Sequence, residues 1–234
     1  MRCFSPIYPG RQRRQPSAIL PRHRHQDSYV ALVLSGGYEE AGDRGRHRVR
    51  AGNAVVHGGF EAHLDRFDAS TSEVLDVALP LSHEPSSPVM TVRDFDLAVR
   101  LAESDRREAA AFLLSAMRPS HSPILDWPDK LAADLALDST LRLESWAREN
   151  HLAMATISRG FFRVFGVSPS AYRAQIRARK AWRRIVERRD SLTSLAFECG
   201  FADQAHMTRG VRAVTGQTPG WWRASSIQDS EHVK

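Results

Sequence analysis

The residues of this chain with the clearest capacity for chemistry are histidines and a block of basic side chains. His23 and His25 are separated by one residue, and His63 follows downstream of Gly52. Neutral imidazole binds zinc and other transition metals, so His23, His25 and His63 are candidate metal ligands. With His57 they could equally be the polar lining of a small-molecule pocket. The basic side chains are concentrated late in the chain. Residues 142–226 hold 15 Arg/Lys against 6 Asp/Glu, whereas residues 1–141 hold 17 against 19. Such a block favours a polyanion through phosphate neutralisation and counterion release, although a solvated helix face would carry the same charge. No catalytic triad, phosphate-binding loop or carboxylate pair stands out, which argues against an enzyme. Cys3 and Cys199 lie too far apart in sequence to suggest a disulfide framework or a clustered-cysteine centre.

The elements that position the basic block are legible around Leu195–Arg209. Leu195 to Cys199 is helix-compatible, Gly200 can take the positive φ of a helix C-terminus, and Asp203 stands where an N-cap is wanted. The pattern is a helix-turn-helix, with small Ala196 allowing a close crossing. A second copy lies fifty residues upstream. Arg159-Gly160-Phe161 answers Arg209-Gly210-Val211, and Gly166, Ser168, Pro169, Tyr172 and Arg173 answer Gly216, Thr218, Pro219, Trp222 and Arg223. In each copy a glycine closes the second helix, and a capping hydroxyl with proline opens the next. Such a repeat predicts two equivalent modules.

These residues resemble a known family. The run SLAFECGFADQAHMTRGVRAVTGQTPGWWR is similar to the C-terminal signature of AraC-type transcription regulators, and FGVSPSAYRAQIRARKAW to their central segment. The resemblance covers about residues 125–225. It implies two recognition helices, Met154–Phe165 and Asp203–Val214, tied by a long helix over Ala171–Arg189. On the family's pattern Ala155, Ser158 and Arg159 face the groove in the first helix, and Gln204, Ala205, His206 and Arg209 in the second. Arginine can bind guanine bidentately, glutamine can pair with adenine, and alanine can touch a thymine methyl. The first copy departs from the pattern. Asn150-His151 replaces the usual glycine, and Ala153 replaces the usual serine cap, a loss of roughly 1 kcal/mol.

The first ninety residues read as β-structure. Tyr29–Leu34 is a short apolar run ending at Gly36-Gly37; His47–Arg50, Ala54–Val56 and Glu73–Leu79 are further strand patterns. Short strands with Gly-rich turns suggest a small sandwich or barrel. Placed before an AraC-type module, this resembles the cupin-like sensor domain of those regulators. The His23-x-His25 spacing and His63 match the cupin metal motifs, but the glutamate expected after His25 is absent. The expectation is therefore a scaffold without cofactor, with a metal at the three histidines as the alternative. From Phe95 to about Met117, Leu97, Leu101, Ala109, Phe112 and Leu113 recur on a helical period. Those helices either pack on the β domain or pair two protomers.

The expected fold class is α+β: a cupin-like β-barrel over 1–90, a helical connection and linker over 91–124 with the loop at Arg118–Pro123, a double helix-turn-helix domain over 125–226, and a tail at 227–234. The resemblance implies a transcription regulator, activator or repressor, with double-stranded DNA and RNA polymerase as partners, a small-molecule effector and a homodimer. The competing reading is a metal-dependent cupin enzyme or metal sensor fused to a DNA-binding module. No apolar run approaches a signal peptide or the roughly 20 residues that span a bilayer, so no membrane partner and a cytoplasmic location are expected.

Overall fold

The computed structural model describes residues 4, 7, 10–80, 87–120, 125–138 and 140–231, with side chains to residue 225. The chain divides near residue 130 into two compact units, with Val164–Gly166 grouped with the first.

The first unit begins with β1 (Gly10–Arg14), β2 (Ile19–Arg24), β3 (Tyr29–Ser35), β4 (Gly37–Gly42) and β5 (Gly45–Arg50). It continues with β6 (Asn53–His57), β7 (Ala62–Phe67), β8 (Ser72–Ala78) and β9 (Val89–Val92), then α1 (Phe95–Ser104), α2 (Arg106–Ala116) and β10 (Met117–Pro119). The strands form a six-stranded sheet in the order β1-β8-β3-β6-β9-β10 and a four-stranded sheet in the order β2-β7-β4-β5. The expected barrel is not closed: among the described residues the pairings leave two separate antiparallel sheets.

Strand β3 shows why its sequence is an apolar run rather than an alternation. Tyr29, Ala31 and Val33 pack with Tyr38, Val49 and Phe67 of the four-stranded sheet. Val30 and Leu32 point the opposite way, with Val56, Leu75 and Val77, onto Ala98, Ala102, Ala109 and Leu113 of the two helices. Successive strand residues face opposite sides, so a strand covered on both sides must be apolar throughout. The helices start cleanly. Asp94 accepts from Leu97 N, and Asp105 accepts from the amides of Arg107 and Glu108.

Two boundaries differ from the sequence expectation. Residue 90 falls inside β9, and α1 and α2 belong to the β unit, so that unit extends to Lys130. The expected linker Arg118–Pro123 begins as structure: Met117–Pro119 pairs with Met90–Val92, and Ser120 N donates to Val89 O. Residues 121–123 of that linker lie outside the described residues, as do Cys3 and the last three residues of the expected tail.

The second unit is helical: α3 (Trp127–Leu137, whose first turn is grouped with the β unit), α4 (Leu143–Glu149), α5 (Met154–Phe165, whose last two residues are grouped with the β unit), α6 (Pro169–Glu187), α7 (Leu192–Glu198), α8 (Gln204–Thr215) and α9 (Pro219–Glu231). Its interior holds Leu131 and Leu135 of α3, Trp146 of α4, Ile157 and Phe161 of α5, Tyr172, Trp182 and Ile185 of α6, Leu195 of α7 and Met207 and Val211 of α8. Trp182 is core, edge-on to Trp222 at 5.7 Å between ring centroids. No helix among the described residues is long and apolar enough to cross a membrane.

Candidate nucleic-acid interface and ligand cavity

The two helix pairs α4–α5 and α7–α8 are built on matching hydrogen bonds. In the second pair Cys199 N donates to Leu195 O, Gly200 N to Phe197 O and Phe201 N to Ala196 O, at 3.0, 2.9 and 2.9 Å. In the first, Asn150 N, His151 N and Leu152 N donate to Trp146, Arg148 and Ala147 O at 3.1, 3.2 and 2.9 Å. The closing residue is left-handed in both, with φ 75° at Gly200 and 54° at His151. Glycine adopts that conformation without steric cost, whereas histidine pays for its Cβ.

The turns then diverge. Asn150 to Ala153 separate α4 from α5, whereas Cys199 to Asp203 separate α7 from α8, so the second connection is one residue longer. The fifty-residue offset therefore holds along the second helices and becomes forty-nine along the first. Asp203 Oδ1 accepts from His206 N at 2.6 Å, the N-cap expected from its position. Ala153 offers only its carbonyl, which accepts from the amides of Thr156 and Ile157.

Ala155, Ser158, Arg159, Gln204, Ala205 and Arg209 are all exposed, and His206 is half-buried. On each helix the exposed residues lie opposite the buried set Ile157, Phe161, Phe165 or Met207, Val211, Val214. Two candidate readers of α8 already have partners. Gln204 Oε1 accepts from Thr193 Oγ1 at 2.9 Å, and the His206 ring stands edge-on to Phe201 at 5.1 Å. Thr156, Arg163 and Arg212 share the exposed sides and were not singled out from the sequence; their place on the helix wheel was the available signal.

The long helix α6 holds the second pair directly. Arg177 Nη1 donates to Gly200 O at 3.0 Å, and its guanidinium lies 4.7 Å from the Phe201 ring centroid. Arg177 thus braces the turn. Gly210 lets α8 approach α6, because a Cβ there would stand 3.1 Å from the Phe201 ring and 3.5 Å from Ala178 Cβ. Ser168 and Thr218 act as caps, accepting from Ala171 N and Trp221 N at 3.3 Å each.

In the β unit the four histidines converge. His23 and His25 come from β2 and the residue after it, His57 from β6 and His63 from β7. Ring centroids of His63 lie 4.3 Å from His23, 5.6 Å from His25 and 4.2 Å from His57, and Tyr29 stacks on His57 at 4.5 Å. They line a cavity of about 370 Å³ that also receives Glu40, Asp65 and Asp76. His57 Nε2 is 3.4 Å from Glu40, and His63 Nε2 is 3.8 Å from Asp65. These carboxylates were not anticipated. They sit on strands whose polar residues, in a solvated sheet, would point outward.

Burial sets the protonation states here. It pulls the His57 imidazole down to about 3, and lowers His63 and His23 as well. It pushes the Glu40 and Asp65 carboxyls up, Glu40 further because Asp65 is close. The Asp76 carboxyl rises to about 6, held from rising further by Gln12, whose Nε2 donates to it at 2.5 Å, and by Arg14. Desolvation therefore favours neutral groups in the cavity.

Comparison with known proteins places the helical unit. The family model for a helix-turn-helix domain matches residues 146–225. The virulence regulon transcriptional activator VirF of Yersinia enterocolitica is 30% identical over 86 residues, 37% of this chain and 32% of that protein. The HTH-type transcriptional activator RhaS of Pectobacterium carotovorum is 32% identical over 68 residues, 29% and 24% of the two chains. The chain thus covers about a third or less of the curated relatives it matches. Among solved structures, ToxT from Vibrio cholerae aligns over 92% of this chain and 95% of its own, with 9% identity and a TM-score of 0.41. The C-terminal domain of AraT from Geobacillus stearothermophilus aligns over 44% and 88%, with 20% identity and a TM-score of 0.41. Residues 146–225 of the helical unit thus form a helix-turn-helix domain similar to those of transcriptional activators.

Proposed function

We propose that this protein is a sequence-specific DNA-binding transcription regulator whose β unit responds to a small molecule. The observation that carries the proposal is the repeated helix-turn-helix, in which α5 and α8 each turn an exposed polar side outward from a buried apolar one. A helix so presented suits a major groove. The basic balance of residues 142–226 supplies sequence-independent attraction to the phosphates. Arg209 and Arg159 are the readers with the longest reach. Gln204 would exchange its bond to Thr193 for one to a base, and Ala155, Ala205 and Ser158 would let the backbone come close. Relatives named as transcriptional activators support activation as the outcome, with RNA polymerase as the protein partner. A homodimer would use the outward sides of α1 and α2, because their buried sides already cover the six-stranded sheet.

The reading is tested by footprinting and binding-site selection on the full chain. Two short elements of different sequence, about one helical turn or roughly 10 bp apart, are expected from two recognition helices. A single contiguous element would overturn the two-helix reading. Sedimentation across a concentration range measures the dimer.

A further inference from the structure

We propose that the cavity between the two sheets binds a small organic cation, a protonated amine on an apolar body, with its ammonium group between Glu40 and Asp65 of one sheet and Asp76 of the other. The binding part stands on the cavity alone. Naming the amine as the molecule to which the β unit responds rests on the proposed regulatory function.

Strand alternation brings the three carboxyls to the cavity. Residues two apart share a sheet face. Tyr38 with Glu40 on β4, Asp65 with Phe67 on β7, and Val74 with Asp76 on β8 all line the same space of about 370 Å³. Glu40 and Asp65 are register partners, so two carboxyl side chains stand directly opposite each other, and both residues are buried. Like charges so placed destabilise a sheet. Asp76 comes from the six-stranded sheet on the other side. The arginines at the cavity do not balance the three. Arg22 is paired with Asp43, and Arg14, which donates to Gln12 Oε1, is one charge against three carboxyls.

The cavity is short of hydrogen-bond donors. Asp65 is 6% exposed, and its Oδ1 has no hydrogen-bond partner among the described residues. The same holds for Nδ1 of His57 and of His63, each on a residue 2% exposed. Burial keeps the His57 imidazole neutral, and its Nε2 stands 3.4 Å from Glu40 Oε2. A proton on that nitrogen leaves Nδ1 as a buried acceptor, which is costly unless a donor meets it. An ammonium group brings three N–H donors and a positive charge, and so serves the orphan acceptors and the opposed carboxyls together. Burial and the neighbouring Asp65 push the Glu40 carboxyl up, and a cation between the two carboxyls favours their ionised forms in turn. The rest of the lining selects an organic cation. Tyr29, Tyr38 and Phe67 bring aromatic rings to the cavity, which attract ammonium groups and cover an apolar body. Magnesium and calcium instead take shells of oxygen ligands and water. The volume lies near the lower end of the roughly 300–1,000 Å³ of small-molecule sites, so the body is small.

The test titrates the full chain, in buffer containing chelator, with 2-phenylethylamine and hexylamine, with the neutral 2-phenylethanol and hexanol, and with 3-phenylpropionate. Calorimetry should show one equivalent of at least one amine bound, at least tenfold tighter than the alcohol of the same shape. The thermal midpoint should rise with that amine, and 3-phenylpropionate should not bind. Asp65→Asn and Asp76→Asn keep the side-chain shape while removing the charge, and each should weaken amine binding at least tenfold. Glu103→Gln, exposed on α1 and outside the cavity lining, should bind as the parent does. Asp76→Asn relieves a buried carboxyl, so it tests the site should Asp65→Asn fail to fold. No binding of either amine at millimolar concentration, equal affinity for amine and alcohol, or equal amine binding by parent and Asp76→Asn overturns the proposal. Footprinting with and without the bound amine separates the two readings. An amine-dependent change in DNA affinity supports the effector role, and unchanged affinity overturns it. A specific footprint from a protein that binds no amine leaves DNA recognition standing while removing the amine, and amine binding without a specific footprint does the reverse.

Discussion

Arg159, Gln204 and Arg209 of the helical unit stand in solvent on helix faces, whereas Glu40, Asp65 and four histidines of the β unit meet in a cavity. The difference is one of cost. An exposed arginine keeps its hydration until a phosphate or guanine replaces it, so the free protein pays little to carry it. A carboxylate in the cavity has already lost water and has gained few partners, so it stores an unfavourable term that a ligand or a proton can relieve. The helical unit is thereby suited to reading a polyanion surface, and the β unit to responding to something small that enters it. Within the helical unit the same comparison repeats on a finer scale, because α7–α8 has a glycine turn and an aspartate cap where α4–α5 has His151 and Ala153.

The largest effect should come from the cavity. Asp76 titrates at about 6 in the folded protein against 3.8 as a free side chain. A carboxyl whose folded value is raised makes its best contribution below the unfolded value, where both states are protonated, and loses it as pH rises through the folded value. Asp76→Asn should therefore stabilise the β unit at pH 8, with the difference from the parent vanishing below about pH 4. Two pKa units correspond to at most about 3 kcal/mol, less where water enters the cavity. Denaturant unfolding at pH 4, 6 and 8 measures it. Equal stability of parent and variant at pH 8 would show that Asp76 carries no buried cost and would weaken the contrast between the units.

Next in size is Arg209→Ala. If Arg209 reads a guanine, the loss should be about 1–3 kcal/mol, confined to one position of one element. Arg159→Ala makes the matching change in the first copy and should relax the other element. Arg177→Ala should behave differently from both, since its guanidinium is bonded to Gly200 O in the turn. It should loosen the second helix pair and so reduce discrimination at that whole element. Site selection with the three variants separates reading from bracing, and an Arg209→Ala variant with the parent's preference would break the comparison.

The same contrast explains what was legible in the sequence. A helix-turn-helix writes its turn glycine, cap and buried stripe within twenty consecutive residues, so α5 was placed residue for residue and α8 to within one residue at either end. The repeat made the reading firmer than one copy could. The β unit hides its logic because its partners are distant. Strand β1 is GRQRR and β4 is GYEEAG, sequences that read as polar loops until the sheet shows Glu40 turned inward. Strand β7 carries Asp65 beside His63, and β10 is a three-residue strand ending in proline. His23, His25 and His63 could be suspected from type and spacing. Their meeting with Glu40, Asp65 and Asp76 follows from register, which no local pattern specifies. The one-residue difference between the two turns was likewise invisible to a constant repeat offset.

The finer comparison predicts a pair of opposite effects of about 1 kcal/mol. Asp203→Ala removes the carboxylate that accepts from His206 N, while Ala153→Ser supplies such an acceptor to the start of α5. The first should lower and the second raise the stability of the helical unit. Tryptophan fluorescence follows mainly that unit within the full chain, since four of the five tryptophans, Trp146, Trp182, Trp221 and Trp222, belong to it and only Trp127 is grouped with the β unit. If Ala153→Ser destabilises, the start of α5 lacks the geometry of an N-cap and the two copies differ by more than side-chain identity.

The smallest effect concerns the turn itself. His151 holds φ at 54° with its side chain exposed, so replacing it removes no packing and leaves the backbone bonds from His151 N and Leu152 N in place. Glycine is free of the Cβ clash that makes the left-handed region costly by roughly 1–2 kcal/mol for other residues. It also has more backbone entropy to lose on folding, which returns roughly 0.5–1 kcal/mol of that gain. The balance for His151→Gly is a stabilisation of about 0.5 kcal/mol. The mirror change, Gly200→His, should cost a similar amount or more, because Arg177 is bonded to the Gly200 carbonyl and limits how the turn can relax. Fluorescence-monitored thermal unfolding of the two variants against the parent measures both. A His151→Gly variant that melts below the parent would mean that the histidine side chain makes an interaction of its own in the first turn, and that the two turns, alike in hydrogen bonding, are held closed by different forces.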